Sequence, residues 1–348
     1  MAQESTSNLS REDFDAGPTS YDKIEDNLYL GNLTAATDVK WLRKNKISHI
    51  LTVDSCPLPR QIQELPDITL KYIQITDMPR EDILTYFENS YEFIDHAIKS
   101  NGNVLVHCYF GVSRSATLVI AYIMKKYELT FIDAYDIVKN KRRFVGPNPG
   151  FLAQLKLYED MGFTIDTRNI KFKLYRLQIA ADKVRKAKIL PSNYIDLIKP
   201  DPALETVHPE PTVYRCAKCR RIVASASNIL PHSPHERQIW RHVSTKKNKK
   251  NQDTDNIIVR TINDNTDNNK QSDICKKIYF IEPLAWMPDI LNHVDGKLNC
   301  PKCEAKLGAF SWISGCQCPC GSKIAPAFYL IPSKVDWSNA VQNVLVTV

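Results

Sequence analysis

Between residues about 22 and 165 the apolar positions alternate between two spacings. Short runs rich in β-branched residues read as strands: Asn27-Leu-Tyr-Leu-Gly31, Ile47 to Val53, Leu70 to Ile75 and Asn103 to His107. Segments of helical spacing stand between and after them. These are Ala35 to Asn45, Ile83 to Ser100 with Tyr86, Phe87, Ile94 and Ile98, Ser113 to Tyr127, Tyr135 to Lys141, and Phe151 to Met161. Such alternation predicts an α/β layer fold, a central sheet flanked by helices. Ser113 to Tyr127 has few polar residues, and its stretch Ala116 to Met124 reads as a buried helix.

After residue 165 the pattern changes. Residues 166–211 read as a linker with one helix, in which Lys171 to Lys188 carries seven basic residues and one acidic residue. Such a helix either docks on RNA or an acidic partner, or lies solvated against the first domain. Pro191, Pro200, Pro202, Pro209 and Pro211 mark an extended stretch before a second domain at 212–335. Residues 246–273, rich in Asn, Asp and Lys, interrupt that domain and have too few large apolar side chains for a core. The apolar core of the second domain is expected to be thin. A chain of 348 residues fits two domains, and 43% apolar with 24% charged residues is ordinary for a soluble protein.

The net charge of +7 permits an acidic partner without requiring one, and no DNA binding is expected. Met1 to Ser20 lacks the basic start and apolar stretch of a signal peptide. The longest apolar run, Ala116 to Met124, is too short to cross a membrane. These features predict a cytoplasmic and nuclear protein without membrane partners.

Two of the ten cysteines, Cys56 and Cys108, precede residue 200, and the other eight follow it. In a reducing compartment the tail reads as metal-binding rather than disulfide-linked. Cys216-Ala-Lys-Cys219 and Cys300-Pro-Lys-Cys303 have the two-residue gaps that let both thiolates reach one tetrahedral zinc ion. His232, Cys275, Cys318 and Cys320 bring the ligands to eight, enough for two structural zinc ions, with Cys316 surplus. The expected pairing joins the two knuckles at one site and the other four residues at the second. An interleaved pairing stays open, and His235 rivals His232.

The most specific segment is Val104-Leu-Val-His-Cys-Tyr-Phe-Gly-Val-Ser-Arg-Ser115. A strand runs into a turn that opens a helix, and five residues separate Cys108 from Arg114. Such a loop can wrap one phosphate with backbone N–H groups at a helix N-terminus, and the same field favours a thiolate at Cys108. Gly111 allows the tight approach, and Arg114 offers a planar fork to two phosphate oxygens. A leaving group needs an acid, and Asp77, directly after a strand, is favoured over Asp82, which reads as a helix cap. No metal is needed for this chemistry. Tyr109, Phe110 and Val112 add no cation to the loop, which disfavours substrates with several phosphates.

His107-Cys108-x-x-Gly111-x-Ser113-Arg114-Ser115 resembles the signature of the dual-specificity protein phosphatases, with supporting likeness at Asn27-Leu-Tyr-Leu-Gly-Asn32, Pro147-Asn-Pro-Gly-Phe151 and Gln154-Leu155. The resemblance implies a phosphocysteine at Cys108, with phosphoserine, phosphothreonine and phosphotyrosine proteins as substrates. It implies phosphate binding by Tyr109, Phe110, Gly111, Val112, Ser113 and Arg114. Asp77 would be the general acid, Ser115 would assist thiolate departure and Asn148 would brace the loop. Phe110 departs from the small residue usual at its position, and its bulk is expected to alter the loop packing or the pocket rim. The tail is similar to a zinc-tailed subgroup of that family through Tyr214 to Arg220, Phe280 to Met287, Cys300 to Gly308, Trp312 and Cys318 to Gly321. That likeness implies a role of the zinc domain in assembly of the large ribosomal subunit, with pre-60S particles as partners. An enzyme and a binding module with dispensable catalysis are therefore both live readings.

Overall fold

The computed structural model describes residues 18–204, 210–234 and 274–339. The chain divides into two units with the boundary after Asn169. His235 and the insertion at 246–273 lie outside the described residues.

The first unit holds β1 (Tyr21–Glu25), β2 (Leu28–Gly31), α1 (Leu33–Thr37), α2 (Val39–Lys44), β3 (Ile47–Asp54), α3 (Arg60–Gln63), β4 (Thr69–Gln74), α4 (Phe87–Lys99), β5 (Asn103–His107), α5 (Arg114–Tyr127), α6 (Phe131–Lys141) and α7 (Pro149–Asp160). The strands form one sheet in the order β1-β2-β5-β3-β4, antiparallel only between β1 and β2. β5 is central, and Val104, Leu105 and Val106 are all fully buried, so its run is apolar without alternation. α5 is buried from Arg114 to Met124, as its composition predicted.

Two predicted helices are interrupted. The helix expected over Ala35 to Asn45 is broken at Asp38, whose side chain accepts from the Trp41 N–H and starts a new helix. An aspartate with an extended backbone makes a better cap than an interior residue. Ile83 to Ser100 opens with a 3₁₀ turn, Leu84–Tyr86, before α4 begins; Asp82, expected as the helix cap, accepts from the Thr85 N–H, while Ile83 precedes the turn and Tyr86 precedes α4.

α7 ties the loop after β4 to the rest of the unit. Asn148 caps it, accepting from the Gly150 and Phe151 N–H groups at 3.0 Å each. Buried Gln154 accepts from the Ile83 and Leu84 N–H groups at 2.9 Å and donates to the Glu81 carbonyl at 2.9 Å. Gly150 lies so close to the Pro79 carbonyl that a Cβ there would overlap it.

The second unit opens with α8 (Ile170–Ala187), followed by β6 (Thr212–Cys216), β7 (Ile222–Ser225), β8 (Tyr279–Phe280), β9 (Asp295–Asn299), β10 (Lys306–Ser311), β11 (Cys316–Gln317), β12 (Lys323–Ile324), β13 (Ala327–Leu330) and β14 (Val335–Asn339). The strands form sheets ordered β8-β13-β10-β9, β14-β6-β7 and β11-β12. α8 is part of this unit rather than a linker at 166–211. Phe172, Tyr175, Ile179 and Val184 are buried, and Lys173 donates to the Glu282 carboxylate at 2.9 Å and the Ser227 carbonyl at 2.8 Å. Its basic residues obscured the apolar positions between them, whose burial outweighs the solvation of a charged helix face.

The core of the second unit is also larger than expected. Trp312 is fully buried and donates to the Ile290 carbonyl at 2.9 Å, and Phe310 stacks on Phe328. Strand pairing collects aromatic residues that lie far apart along the chain.

Gly150→Ala is expected to lower the stability of the first unit by about 1–3 kcal/mol, the usual penalty of overpacking. Urea unfolding followed by near-ultraviolet circular dichroism measures it.

Candidate active site and metal centres

The turn from β5 to α5 is a loop whose carbonyls all point outward to donors. The Tyr109 carbonyl accepts from the Leu33 N–H at 3.1 Å, and that of Val112 from the Gly146 N–H at 2.9 Å. Phe110 and Gly111 carbonyls accept from Arg142, at 3.2 Å from Nη2 and 2.8 Å from Nε. Ser113 is bonded by the Thr117 N–H at 2.9 Å. A buried carbonyl needs such a partner, and turning the carbonyls out leaves the N–H groups for the inside of the loop. Gly111 makes the turn with φ of +70°, and a Cβ there would overlap the Gly31 carbonyl.

Cys108 lies at the foot of this loop, 1% exposed. Its Sγ accepts from the Gly111 N–H at 3.2 Å and from the Ser115 hydroxyl at 3.1 Å. Before it, His107 is fully buried and pairs Nε2 with the Thr52 hydroxyl at 2.9 Å, which fixes the end of β5.

Arg114 enters the same site from the first turn of α5. Its Nη1 donates to Asp54 Oδ1 at 2.7 Å and to the Ile75 carbonyl at 3.4 Å. Its Nε is buried without a hydrogen-bond partner. The fork of Nε and Nη2 is therefore the half of the guanidinium that Asp54 does not engage. A buried donor without a partner carries a desolvation penalty, which an oxyanion removes.

Asp77 is exposed, and its Oδ1 accepts from the Ser113 hydroxyl at 2.7 Å and Asn148 Nδ2 at 2.8 Å. The Asn148 N–H in turn donates to the Ser113 hydroxyl at 3.1 Å. Asp77 is thus fastened to the loop 36 residues later in the chain. Asp82 accepts from the Thr85 N–H.

Sequence reasoning missed the two groups that hold the site from behind. One is Asp54, the last residue of β3: an acidic residue closing an apolar parallel strand lies at the carboxyl end of the sheet, where ligands bind. Arg142 is 1% exposed at its side chain and also donates to Asp22 at 2.7 Å and Ser20 at 3.1 Å. No local signal distinguishes it from exposed Arg143 beside it.

In the second unit the eight predicted ligands fall into two clusters: Cys216, Cys219, Cys300 and Cys303, and His232, Cys275, Cys318 and Cys320. In each, the ligand atoms lie within 4.8 Å of one another. The expected pairing holds, and the interleaved one does not. Cys216 and Cys303 sulfurs are 3.7 Å apart and those of Cys219 and Cys300 3.5 Å. His232 Nε2 is 3.3 Å from the Cys318 sulfur. A tetrahedron with zinc–sulfur bonds of about 2.3 Å has edges near ~3.8 Å, so the sets fit a metal of that size. Burial pushes the Cys300 and Cys318 thiols up to about 12, whereas the Arg221 backbone N–H brings Cys219 down to about 7. Only a bound cation lets all the sulfurs of such a cluster ionise together.

Residues 28–161 match the family model for the dual specificity phosphatase catalytic domain. The chain is 49% identical to the dual specificity protein phosphatase MPK-4 of Drosophila melanogaster, over 98% of this chain and 93% of that protein. It is 37% identical to dual specificity protein phosphatase 12 of Mus musculus over 90% of this chain and 87% of that one. It is 30% identical to the tyrosine-protein phosphatase YVH1 of Saccharomyces cerevisiae, over 90% of each chain. Among the described residues no helix is long and apolar enough to cross a membrane.

Arg142→Met leaves two loop carbonyls without their donors and is expected to weaken binding of inorganic phosphate by at least about tenfold, since each hydrogen bond to a charged group is worth about 1.5–3 kcal/mol. Arg142→Lys, which keeps a charge but cannot reach both carbonyls and Asp22 together, should lose less. Isothermal titration measures both.

Proposed function

The chain belongs to the dual-specificity protein phosphatases, and from that premise we propose how its residues divide the reaction. The substrate is a protein carrying phosphoserine, phosphothreonine or phosphotyrosine. The loop N–H groups of Tyr109 to Ser113 and the Nε–Nη2 fork of Arg114 hold the phosphoryl oxygens. The Cys108 thiolate attacks phosphorus, forming an S–P bond as the bond to the leaving oxygen breaks. Asp77 protonates that oxygen. Water then attacks the phosphocysteine with Asp77 as base, and Ser115 donates a hydrogen bond to the departing thiolate. No metal takes part.

The observation that carries this reading is the convergence on the Cys108 sulfur of two donors, Gly111 N–H and Ser115 hydroxyl, beside an arginine with an unpartnered Nε. Two donors stabilise a thiolate, which is the nucleophilic form.

The two cysteine-containing clusters each hold one structural zinc ion in this reading. Each cluster joins segments far apart in sequence, such as Cys216 and Cys303, 87 residues apart. A second role, docking on precursors of the large ribosomal subunit in the cytoplasm and nucleus, rests on the resemblance of the tail. Its support here is that similarity continues through the second unit, with relatives aligned over 90% of the chain.

Cys108→Ser is expected to abolish hydrolysis of an aryl phosphate, because a serine hydroxyl is not ionised near neutral pH. Arg114→Lys should be severely impaired through loss of the fork. Asp77→Ala should slow turnover about 10²–10⁴-fold for poor leaving groups and less for good ones. Steady-state kinetics with alkyl and aryl phosphates decide it, and near-normal turnover by Cys108→Ser would sink the mechanism.

Elemental analysis of the full chain should find two zinc ions. Cys300→Ser with Cys303→Ser should lose at least one of them and destabilise the second unit, since zinc binding supplies folding free energy. The same protein should keep its aryl phosphatase activity and fail to sediment with large-subunit precursors. Loss of catalysis with intact sedimentation would mean the two roles belong to the opposite domains.

A further inference from the structure

Three large apolar side chains stand exposed on the phosphate loop or on segments bonded to it: Phe110 at 58%, Met78 at 56% and Phe144 at 54%. Phe110 belongs to the loop itself and packs edge-on against Tyr109, ring centroids 4.7 Å apart. Arg142 bonds the Phe110 carbonyl and lies over the Phe144 ring, 4.9 Å from its centre. Phe144 is thereby fastened to the same loop. Met78 directly follows Asp77, whose carboxylate accepts from Ser113. Phe110 thus stands exposed on the loop itself, Phe144 on the segment whose Arg142 bonds that loop, and Met78 next in sequence to the residue that bonds Ser113.

Single exposed apolar residues are ordinary, but a group of them around a pocket is a surface for whatever enters it. The side chains of Tyr109 to Ser113 carry no cation. The phosphate itself is held by backbone and by Arg114, so the rim contacts only what flanks the phosphoryl group. Apolar rim residues gain by covering apolar neighbours and gain nothing from acidic ones.

We propose that Phe110, Phe144 and Met78 form an apolar rim that selects phosphopeptides with aliphatic or aromatic residues next to the phosphorylated residue. This rests on the Cys108 reading of the site. The rim explains the place of Phe110, whose bulk stands where a small side chain would leave the loop bare.

The test uses the full chain and three phosphotyrosine peptides that differ only in the two residues flanking the phosphotyrosine: Leu, Ser or Asp. The Leu peptide should exceed the Ser peptide in kcat/KM by about tenfold or more, the discrimination one apolar contact supplies. Phe110→Ala and Phe144→Ser should each move the Leu-to-Ser ratio toward unity. Phe144→Ser should leave hydrolysis of p-nitrophenyl phosphate unchanged. Both side chains are exposed, so neither substitution threatens the fold. Equal rates on Leu and Ser peptides overturn the proposal, as does a ratio untouched by both variants. A preference for the Asp peptide also overturns it, by pointing to exposed Arg80 or Arg143 instead. Failure of the Cys108 reading would show separately, as hydrolysis of all three peptides by Cys108→Ser.

Discussion

The first unit depends on one constraint, the need to turn the carbonyls of a short loop outward so that its N–H groups converge. Only the last of those carbonyls, that of Ser113, is satisfied by a regular element, because the rest of the loop is neither strand nor helix. The fold supplies donors from four places: the start of α1 at Leu33, the end of α6 at Arg142, the Gly146 backbone and the α5 ladder at Thr117. Arg142 is the most demanding of these, since a guanidinium is buried only when its donors are used and its charge is balanced. Asp22 of β1 provides that balance. The outermost strand of the sheet is thus tied to the centre of the site.

The same economy governs the charges inside. Arg114 and Asp54 are both nearly inaccessible, and each would be costly alone. Pairing through Nη1 spends only part of the guanidinium and orients the rest. An arginine suits this position because one planar group can serve a buried carboxylate on one side and an oxyanion on the other. Asp77, by contrast, lies in solvent and is held by Ser113, Asn148 and the packing of α7 on the loop after Met78. The proposed acid thus belongs to a loop that the helix positions, while the proposed nucleophile directly follows the central strand.

The second unit meets a similar demand by other means. Its strands are short and its sheets small, and segments on either side of the long insertion must come together. The two four-ligand clusters join those segments at points, and Trp312, Phe310 and Phe328 fill the space between strands. The clusters and the aromatic packing are complementary here, because the first brings distant segments to one point and the second removes apolar surface from water.

Local spacing was enough to identify four of the five strands of the first unit, though not β1, together with the buried helix α5, the Cys108–Arg114 loop and the eight Cys and His residues of the two clusters. Each of these is a short-range pattern, set by side-chain period or by how many bonds separate two ligands. Composition misled where burial mattered, as in α8, whose lysines suggested a linker although its apolar residues are buried. Only the tertiary structure decided which distant groups complete the site. Asp54 reaches Arg114 from 60 residues away, Asp77 reaches Ser113 from 36, and Asp22 reaches Arg142 from 120. It also chose Arg142 over Arg143, and one ligand pairing over another. Such choices depend on which chain segments the sheet brings side by side, and no local pattern carries that information, because hydrogen bonds and ion pairs act through distance in space and not along the chain.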